Sequence, residues 1–342
     1  MDLVKTLTAL SAVPGPAGAE GQAAALAMEL LAPYVSEVYT DTLGNVIGKR
    51  PCGQPGAKQV LVEAHLDEIG FVVTGQKAGF LTLAPLGSVD PRHLPGARLQ
   101  VLTDPPQTGV VACMPPHVLT KAAMDEVQQV ADMVLDVGLD EDEAKGIPLG
   151  TPVVFDTVPM EMGDGLFSGK SLDNRASMAA VLLALSRLRE PLGFDLTVLF
   201  STQEELGLRG VAPGLFALEP DICVALDVTF GHLPDAKPEQ TVRFGGGAAV
   251  GVGPVLNRGL TSRLVALAEA NGVPYQMEVL PGRSSTTADM GQVSRRGVAT
   301  ALISLPLRYM HSATEVVRLT DIEAVAALLT AFLEEGVEDD DA

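Results

Sequence analysis

The feature that most constrains the fold is a set of four short, apolar, β-prone segments that alternate with helical segments. The β-prone segments are residues 58–64, 195–201, 222–226 and 300–305, and the main helical segments are residues 176–188, 262–271 and 321–334. Apolar runs of this length suit strands buried on both faces, and their alternation with helices favours a mostly parallel sheet covered on both sides. The sequence therefore predicts an α/β fold.

A region of different texture interrupts this pattern between about residues 72 and 160. Short β-prone pieces such as FVVTG, FLTLAPLG and TGVVACM follow one another there, separated by Gly and Pro turns. Short, evenly spaced strands are typical of a small barrel, and one charged helical segment, about 121–133, is expected among them. We divide the chain into a sheet domain of residues 1–72 and 162–336, an inserted β-rich domain of residues 73–161, and an acidic tail of residues 337–342.

Polar residues of a particular kind accompany the predicted strands. They stand just past strand ends or, for one aspartate, just before a helix: His65, Asp67, Asp173, Glu204, Glu205, Asp227 and His311. Ligands of open α/β sheets bind in the crevice outside the carboxyl ends of the strands, so separate parts of the chain would deliver these side chains to one sheet edge. Each position alone would more often be an ordinary turn residue, and the prediction depends on all of them sharing equivalent positions.

The residue types indicate a pair of metal ions. Imidazole and carboxylate ligands without thiolate suit Zn²⁺ or a similar divalent cation, with Co²⁺ or Mn²⁺ as alternatives. A two-metal site needs one carboxylate between ions about 3.5–4 Å apart and terminal ligands on either side. Asp173 is the best-placed bridge. His65 and Asp227 would complete one ion, and Glu205 and His311 the other.

Two further carboxylates have expected roles beside the metals. Neighbouring side chains of an extended segment point in opposite directions, so Glu205 can bind metal while Glu204 faces the attacking water as general base. Asp67 lies two residues after His65 and could orient its imidazole through the nitrogen that does not bind metal. The other histidines, His93, His117 and His232, are interpreted as loop or packing residues.

Charge and cysteine content exclude several classes of partner. The net charge of −20 argues against nucleic acid and against anionic membrane surfaces, both of which require lysine and arginine. No run of 18 apolar residues or basic leader is present, so neither a membrane span nor a signal peptide is expected. Cys52, Cys113 and Cys223 form no CxxC pattern, which favours a reducing, cytoplasmic setting.

Six segments carry a family resemblance. They are EAHLDEIGFVV (63–73), PPHVL (115–119), GKSLDNRASMAAVLL (169–183), FSTQEELGLRGV (200–211), ALDVTFG (225–231) and LPLRYMHSATEVV (305–317). In these segments the chain resembles the metallo-aminopeptidases of the glutamyl, deblocking and tetrahedral dodecameric type. The resemblance implies a zinc-peptidase-like α/β/α sandwich with a small β-barrel domain inserted after the strand that ends in His-Leu-Asp.

The resemblance also implies roles and partners. In such enzymes the matching positions hold the two ligand sets just described, with Asp173 as the bridge, Glu204 as the general base and Asp67 behind the first histidine. It implies two divalent metal ions per subunit, short peptides as substrates, and a homo-dodecamer formed through the inserted domain. The loop at residues 284–291 departs from the family pattern, because Ala288 replaces a threonine before Asp289. That departure concerns side-chain preference rather than metal chemistry.

The leading hypothesis is a cytosolic aminopeptidase, and three other functions compete with it. A glycosidase is possible because paired carboxylates also hydrolyse sugars, although the two histidines and the absence of Trp speak against it. A deacylase of N-acyl amino acids would use the same metals. A metal-binding scaffold without activity is opposed by the intact Glu204.

Overall fold

The computed structural model describes residues 1–124, 126–189, 191–335 and 337, so residues 338–342 of the expected acidic tail lie outside the described residues. The helices in these ranges are all too short or too polar to span a membrane. The helices are α1 (Leu3–Ala12), α2 (Gly21–Leu31), α3 (Lys121–Met124), α4 (Glu141–Ala144), α5 (Leu172–Arg187), α6 (Val211–Leu218), α7 (Arg258–Ala270), α8 (Ala288–Val293) and α9 (Leu319–Glu335).

The strands of the main sheet are β1 (Glu37–Thr40), β2 (Val46–Arg50), β3 (Gln59–His65), β10 (Met160–Met162), β11 (Leu166–Gly169), β12 (Asp195–Ser201), β13 (Ile222–Phe230), β14 (Ala248–Val252), β15 (Tyr275–Val279), β16 (Ala299–Arg308) and β17 (Glu315–Arg318). A second group of strands comprises β4 (Gly70–Lys77), β5 (Phe80–Leu86), β6 (Arg98–Val101), β7 (Gln107–Val111), β8 (Val134–Asp136) and β9 (Pro152–Phe155).

The main sheet has the order β1-β2-β12-β3-β13-β16-β17-β11-β10, and β14 joins β16 to β15. The central strands β12, β3, β13 and β16 are parallel, as the alternation with helices predicts. The flanking pairs β1–β2 and β10–β11 are antiparallel. The expectation of a mostly parallel sheet is therefore right only for the centre, because strands that follow each other after a short turn can pair only antiparallel.

Helices cover both faces of this sheet. Val60 and Val62 of β3 belong to the larger core, which α1, α5, α7 and α9 complete. Leu61, between them, faces a smaller core with Val211 and Leu215 of α6. Burying each such side chain contributes about 1.5–3 kcal/mol, so the continuous apolar runs are explained by burial on both sides. The expected α/β sandwich is confirmed.

The predicted barrel is also confirmed. Strands β4, β5, β8, β7, β6 and β9 close on one another in that order. Phe71 and Phe155 meet edge to face inside it, with ring centroids 5.5 Å apart. The helix expected at 121–133 is shorter, since α3 ends at Met124 and a 3-10 turn stands at Val130–Asp132. That turn places buried Val130 and Met133 on one side, where they pack into the barrel core.

The joint between the sheet and the barrel is held by hydrogen bonds on both sides. The N–H of Leu66 donates to the carbonyl of Ser201 over 2.8 Å, and the N–H of Glu68 donates to Gly15 over 3.1 Å. The carbonyl of Glu68 in turn accepts from Ala17 over 3.1 Å. The connection from β3 to β4 is thus an ordered segment rather than a free linker.

Candidate metal centre

The candidate centre lies at the carboxyl edge of the four parallel strands. His65 is the last residue of β3 and pairs across the sheet with Ser201, the last residue of β12. Asp227 lies inside β13 and pairs with Ser304 of β16. Strand β13 thus continues past Asp227, whereas the sequence analysis predicted that this aspartate lies beyond the end of its strand. The shared edge follows from the parallel register.

The other site residues stand in turns with unusual backbone. Gln203, directly before Glu204, and His311 have φ of 53° and 59°, in the left-handed region. Residues other than glycine adopt this conformation uncommonly, and such positions cluster at functional sites. Asp173 stands at the entry of α5, where its backbone is not yet helical. The backbone at these site residues thus departs from regular strand and helix conformation.

The side chains of the centre form two groups around one aspartate. Asp173 Oδ1 lies 3.0 Å from His65 Nε2, and Asp173 Oδ2 lies 3.3 Å from His311 Nε2. Asp227 Oδ1 is 3.8 Å from His65 Nε2, on the first side. Glu205 Oε1 is 3.2 Å from His311 Nε2, on the second side. Each oxygen of Asp173 therefore faces a different imidazole, and each imidazole also lies near a different outer carboxylate.

These distances fit metal coordination. Ligand atoms held at about 2.0–2.2 Å around a tetrahedral Zn²⁺ stand roughly 3.4 Å from one another. His65, Asp173 and Glu205 each offer a ligand atom, and these atoms all lie within 4.8 Å of one another. The 3.0 Å between His65 Nε2 and Asp173 Oδ1 is a hydrogen-bond distance, and a bound cation would take the place of the proton shared there. The donor set is therefore suited to divalent metal ions.

The electrostatics of the centre favour positive charge. Burial raises the pKa of Asp227 well above its usual range. Burial also raises the pKa of Glu204 to about 8, with His65 opposing the rise and Asp173 adding to it. Burial lowers the pKa of His311, but the Asp173 and Glu205 carboxylates outweigh it and raise this pKa to about 11. Crowded carboxylates hold protons on the imidazoles, and a metal dication can replace those protons.

Asp67 connects the first histidine to the Glu204–Glu205 turn. Its carboxylate is fully buried and lies 3.5 Å from His65 Nδ1, on the side of the ring away from Asp173. It also accepts the backbone N–H of Glu204 over 2.9 Å and that of Glu205 over 3.1 Å. Asp67 thus positions three neighbours at once, two of which the sequence pattern did not suggest.

Glu315 has the equivalent place on the other side, and sequence reasoning missed it. This buried carboxylate accepts the backbone N–H of Asp173 over 3.0 Å and that of His311 over 2.9 Å. Burial raises its pKa well above the usual range, with Asp173 as the next cause. Its spacing of four residues from His311 was the available signal, but such a spacing is common among surface glutamates.

A buried ionic cluster lies next to Asp67 and Asp173 in the chain and supports the segments that carry them. Lys170 Nζ donates to Glu68 Oε2 over 2.7 Å, and Ser171 also donates to Glu68. Arg175 donates to the carbonyls of Leu10 and Leu66 over 2.6 Å and 3.0 Å. The cluster joins α1, the segment after β3 and the start of α5, so it fixes two of the chain segments that carry site residues.

A cavity of about 740 Å³ opens beside the centre. Its walls include the ends of β13 and β15 and the loop at residues 284–286. Asp289, three residues further on in α8, accepts hydrogen bonds from the N–H of Ser284 over 2.8 Å and from its hydroxyl over 2.7 Å. Its carboxylate therefore shapes the cavity wall. Of the remaining histidines, His93 and His117 are exposed, and His232 shares a hydrogen bond with Thr241.

The family model for M42 glutamyl aminopeptidases matches residues 44–328. The chain belongs to this family. The M42 match spans most of the chain and includes all the candidate ligands, so the family expected from the six sequence segments is confirmed.

Relatives of this M42 chain agree in fold and length. A lysyl aminopeptidase of Pyrococcus furiosus is 34% identical, and the match covers 91% of this chain and 90% of the relative. An aminopeptidase structure from Desulfurococcus kamchatkensis superposes with a TM-score of 0.90 at 32% identity, covering 98% of this chain and 95% of that one. The TET1 peptidase of Pyrococcus horikoshii, described as able to assemble into a tetrahedron or a large octahedral shell, superposes with a TM-score of 0.86 at 26% identity, covering 98% and 100%. The M42 chain is therefore a peptide hydrolase.

Proposed function

We propose that the chain is a dinuclear metal-dependent aminopeptidase that removes the N-terminal residue from short peptides. Membership of the M42 family supports peptide hydrolysis. The observation that carries the dinuclear part is the placement of Asp173, whose two oxygens face two different imidazoles. A carboxylate so placed is what a bridge between two ions requires.

The grouping of side chains supports one ligand set for each ion. His65 and Asp227 would hold one ion, Glu205 and His311 the other, with Asp173 shared. Zn²⁺ suits these nitrogen and oxygen donors, and Co²⁺ or Mn²⁺ would also bind, depending on supply. Asp67 and Glu315 are proposed as the positioning residues behind the two sets.

Glu204 is proposed as the residue that moves the proton. Its carboxylate lines the cavity next to the ligands, and its backbone N–H is held by Asp67. When bound, the two ions lower the pKa of water toward about 7 and polarise the scissile carbonyl. Glu204 takes the proton from the attacking water and delivers it to the leaving amine. The acidic groups of the centre attract the free α-ammonium group of the peptide.

The assembly and location are proposed on separate grounds. A homo-oligomer, a dodecamer formed through residues 73–161, is supported by the tetrahedral assembly of the TET1 relative. Light scattering after size exclusion should give a mass near twelve times the 35.6 kDa subunit. A cytoplasmic location is supported by three cysteines that form no disulfide.

Replacement of the proposed base tests the function. Glu204→Gln should keep the metal content of the wild type, because the ligands are unchanged, and should reduce aminopeptidase turnover by roughly 10²–10⁴-fold. The matched control Glu29→Gln changes an exposed glutamate of α2 and should leave both unchanged. Wild-type turnover by the Glu204 variant would refute the mechanism. Release of reducing sugar from cellulose, or faster cleavage of N-acylated than of free amino-terminal substrates, would favour the glycosidase or the deacylase instead.

A further inference from the structure

The cavity beside the metal centre contains a carboxylate that the proposed chemistry does not use. Glu278 lies near the end of β15, and its side chain lines the cavity. Among the described residues that line the cavity outside the metal centre, Glu239 and Arg283 are also charged, but both are exposed, whereas Glu278 is half-buried. A half-buried charge acts on a ligand through a lower effective dielectric than an exposed one.

The contacts of Glu278 leave it able to bind a cation. Ser304 Oγ donates to Glu278 Oε2 over 2.5 Å, and the hydroxyl of Thr229 also forms a hydrogen bond with this carboxylate. Burial raises the pKa of Glu278, while these two hydroxyls lower it, and no lysine or arginine in the described part of the chain contributes. An ionised carboxylate can accept about four hydrogen bonds, so acceptor positions remain.

The sheet places this carboxylate near the candidate metals. Ser304 pairs with Asp227 across β16 and β13, and directly paired residues lie on the same face of a sheet. Thr229 follows Asp227 by two residues, so it also lies on that face. Glu278 thus forms hydrogen bonds with two residues close to Asp227. The Cα atom of Ser304 lies one strand spacing, about 4.8 Å, from that of Asp227, and the Cα atom of Thr229 lies two residues along the strand, about 7 Å away.

A long basic side chain has the length to extend from the metal centre along this face of the sheet. An extended lysine places its ammonium group about 6 Å from its Cα atom. The cavity is also lined by Leu280, which packs with Ala225 and Leu302 on the same face of the sheet as Asp227. Such an apolar wall can contact the methylene stem while the charged end reaches a carboxylate.

We propose that Glu278 selects peptides whose N-terminal residue is lysine or arginine. The proposal rests on the aminopeptidase function and specifies its substrate class. Arg283 would favour an acidic residue instead, but it is exposed, and solvent and salt weaken its attraction. Glu278 is thus the stronger determinant of the two.

Four chromogenic substrates test this assignment on the metal-reconstituted full chain. Lysyl, norleucyl, leucyl and glutamyl p-nitroanilides differ in the side chain, and norleucine is lysine without its ammonium group. The wild type should cleave the lysyl substrate with a kcat/KM about 10- to 100-fold above that of the norleucyl substrate, the range for a hydrogen bond between charged groups. Glu278→Gln should remove most of this ratio while changing the norleucyl value by less than about 2-fold.

Two companion variants keep the test decisive. Glu278→Asp retains the charge and should keep a preference for lysine, and Glu29→Gln on α2 should behave as the wild type. An unchanged lysyl-to-norleucyl ratio in Glu278→Gln would overturn the assignment, as would a wild-type preference for the glutamyl substrate that Arg283→Gln abolishes. Cleavage of leucyl but not lysyl substrate would overturn the assignment alone. A wild type that cleaves none of the four would overturn the aminopeptidase function as well.

Discussion

Replacement of Glu315 by glutamine should weaken metal binding without touching any proposed ligand. The two oxygens of this buried carboxylate accept the backbone N–H groups of Asp173 and His311 over 3.0 Å and 2.9 Å. Glutamine offers one carbonyl oxygen and one NH₂ group in the same space. One of the two backbone N–H groups would therefore lose its acceptor and face another donor.

The size of the effect follows from the lost bond. A hydrogen bond between uncharged groups contributes about 0.5–1.5 kcal/mol, and a buried group left without a partner costs about 1–3 kcal/mol. The free energy of unfolding of the metal-free protein should fall by about that amount. The displaced backbone belongs to Asp173 or His311, which are proposed ligands. Metal affinity should therefore fall about 10- to 100-fold, the usual effect of changing a residue that positions ligands.

A matched variant separates positioning from general stability. Asp321 is also buried, and its two oxygens accept the N–H groups of Gly245 and Gly247 over 2.8 Å each. Asp321→Asn should lower the free energy of unfolding similarly but leave metal affinity unchanged. Competition with a fluorescent chelator measures the affinity, and urea unfolding measures the stability. Metal affinity within about 2-fold of wild type in folded Glu315→Gln would refute the reasoning.

Three further predictions concern charge, protons and packing. Burial would raise the pKa of Glu68, but the charges of Lys170 and Arg175 outweigh it and lower this pKa from 4.5. The charge of Glu68 therefore stabilises the fold above about pH 4.5, and this stabilisation is lost as the pH falls through the lowered pKa. Glu68→Gln should thus cost about 3–5 kcal/mol at pH 7 in urea unfolding of the metal-free protein, and less at pH 3; an equal loss at both would contradict this. Adding Zn²⁺ to the metal-free protein should release protons, because the carboxylates raise the pKa of His311, and a pH indicator in weak buffer should show acidification rather than no change. Gly210→Ala should destabilise the protein by about 1–3 kcal/mol and lower activity, because a Cβ there would collide with the backbone carbonyl of Thr202. Gly21→Ala, whose Cβ would meet nothing within 4 Å, should be neutral by thermal unfolding, and equal behaviour of the two variants would contradict this reasoning.

The sequence predicted the parts of the fold that depend on local pattern. Apolar runs of strand length located β3, β12 and β16, and parallel pairing then placed His65 and Asp227 at one edge. The barrel could be predicted because its strands are short and separated by turn residues. The order of the strands and the antiparallel flanks could not be predicted, since they depend on which strand edges pair after folding.

The supporting carboxylates were the least predictable part of the site. Glu20, Glu68 and Glu315 look like ordinary charged residues in the sequence, yet all three are buried. Their partners are backbone N–H groups and distant side chains, such as Gln203 N with Glu20 Oε1 over 3.2 Å. Such contacts arise only from tertiary packing and have no periodic signature. A single sequence therefore indicates candidate metal ligands more readily than the buried carboxylates that position those ligands.

The ordered joint between β3 and β4 has a consequence for protein engineering. Gly70, where β4 begins, has no room for a side chain, because a Cβ would lie 2.7 Å from the carbonyl of Val153 in β9. The same Cβ would lie 3.0 Å from the Cβ of Pro16, so the first barrel strand packs directly against the sheet domain only a few residues from Asp67. A shortened chain in which a flexible spacer replaces the barrel would lose that contact, and with it the fixed exit direction of the strand that carries His65. Attempts to obtain a minimal single-subunit enzyme should therefore retain residues 66–72 and β9, or design a rigid substitute for them.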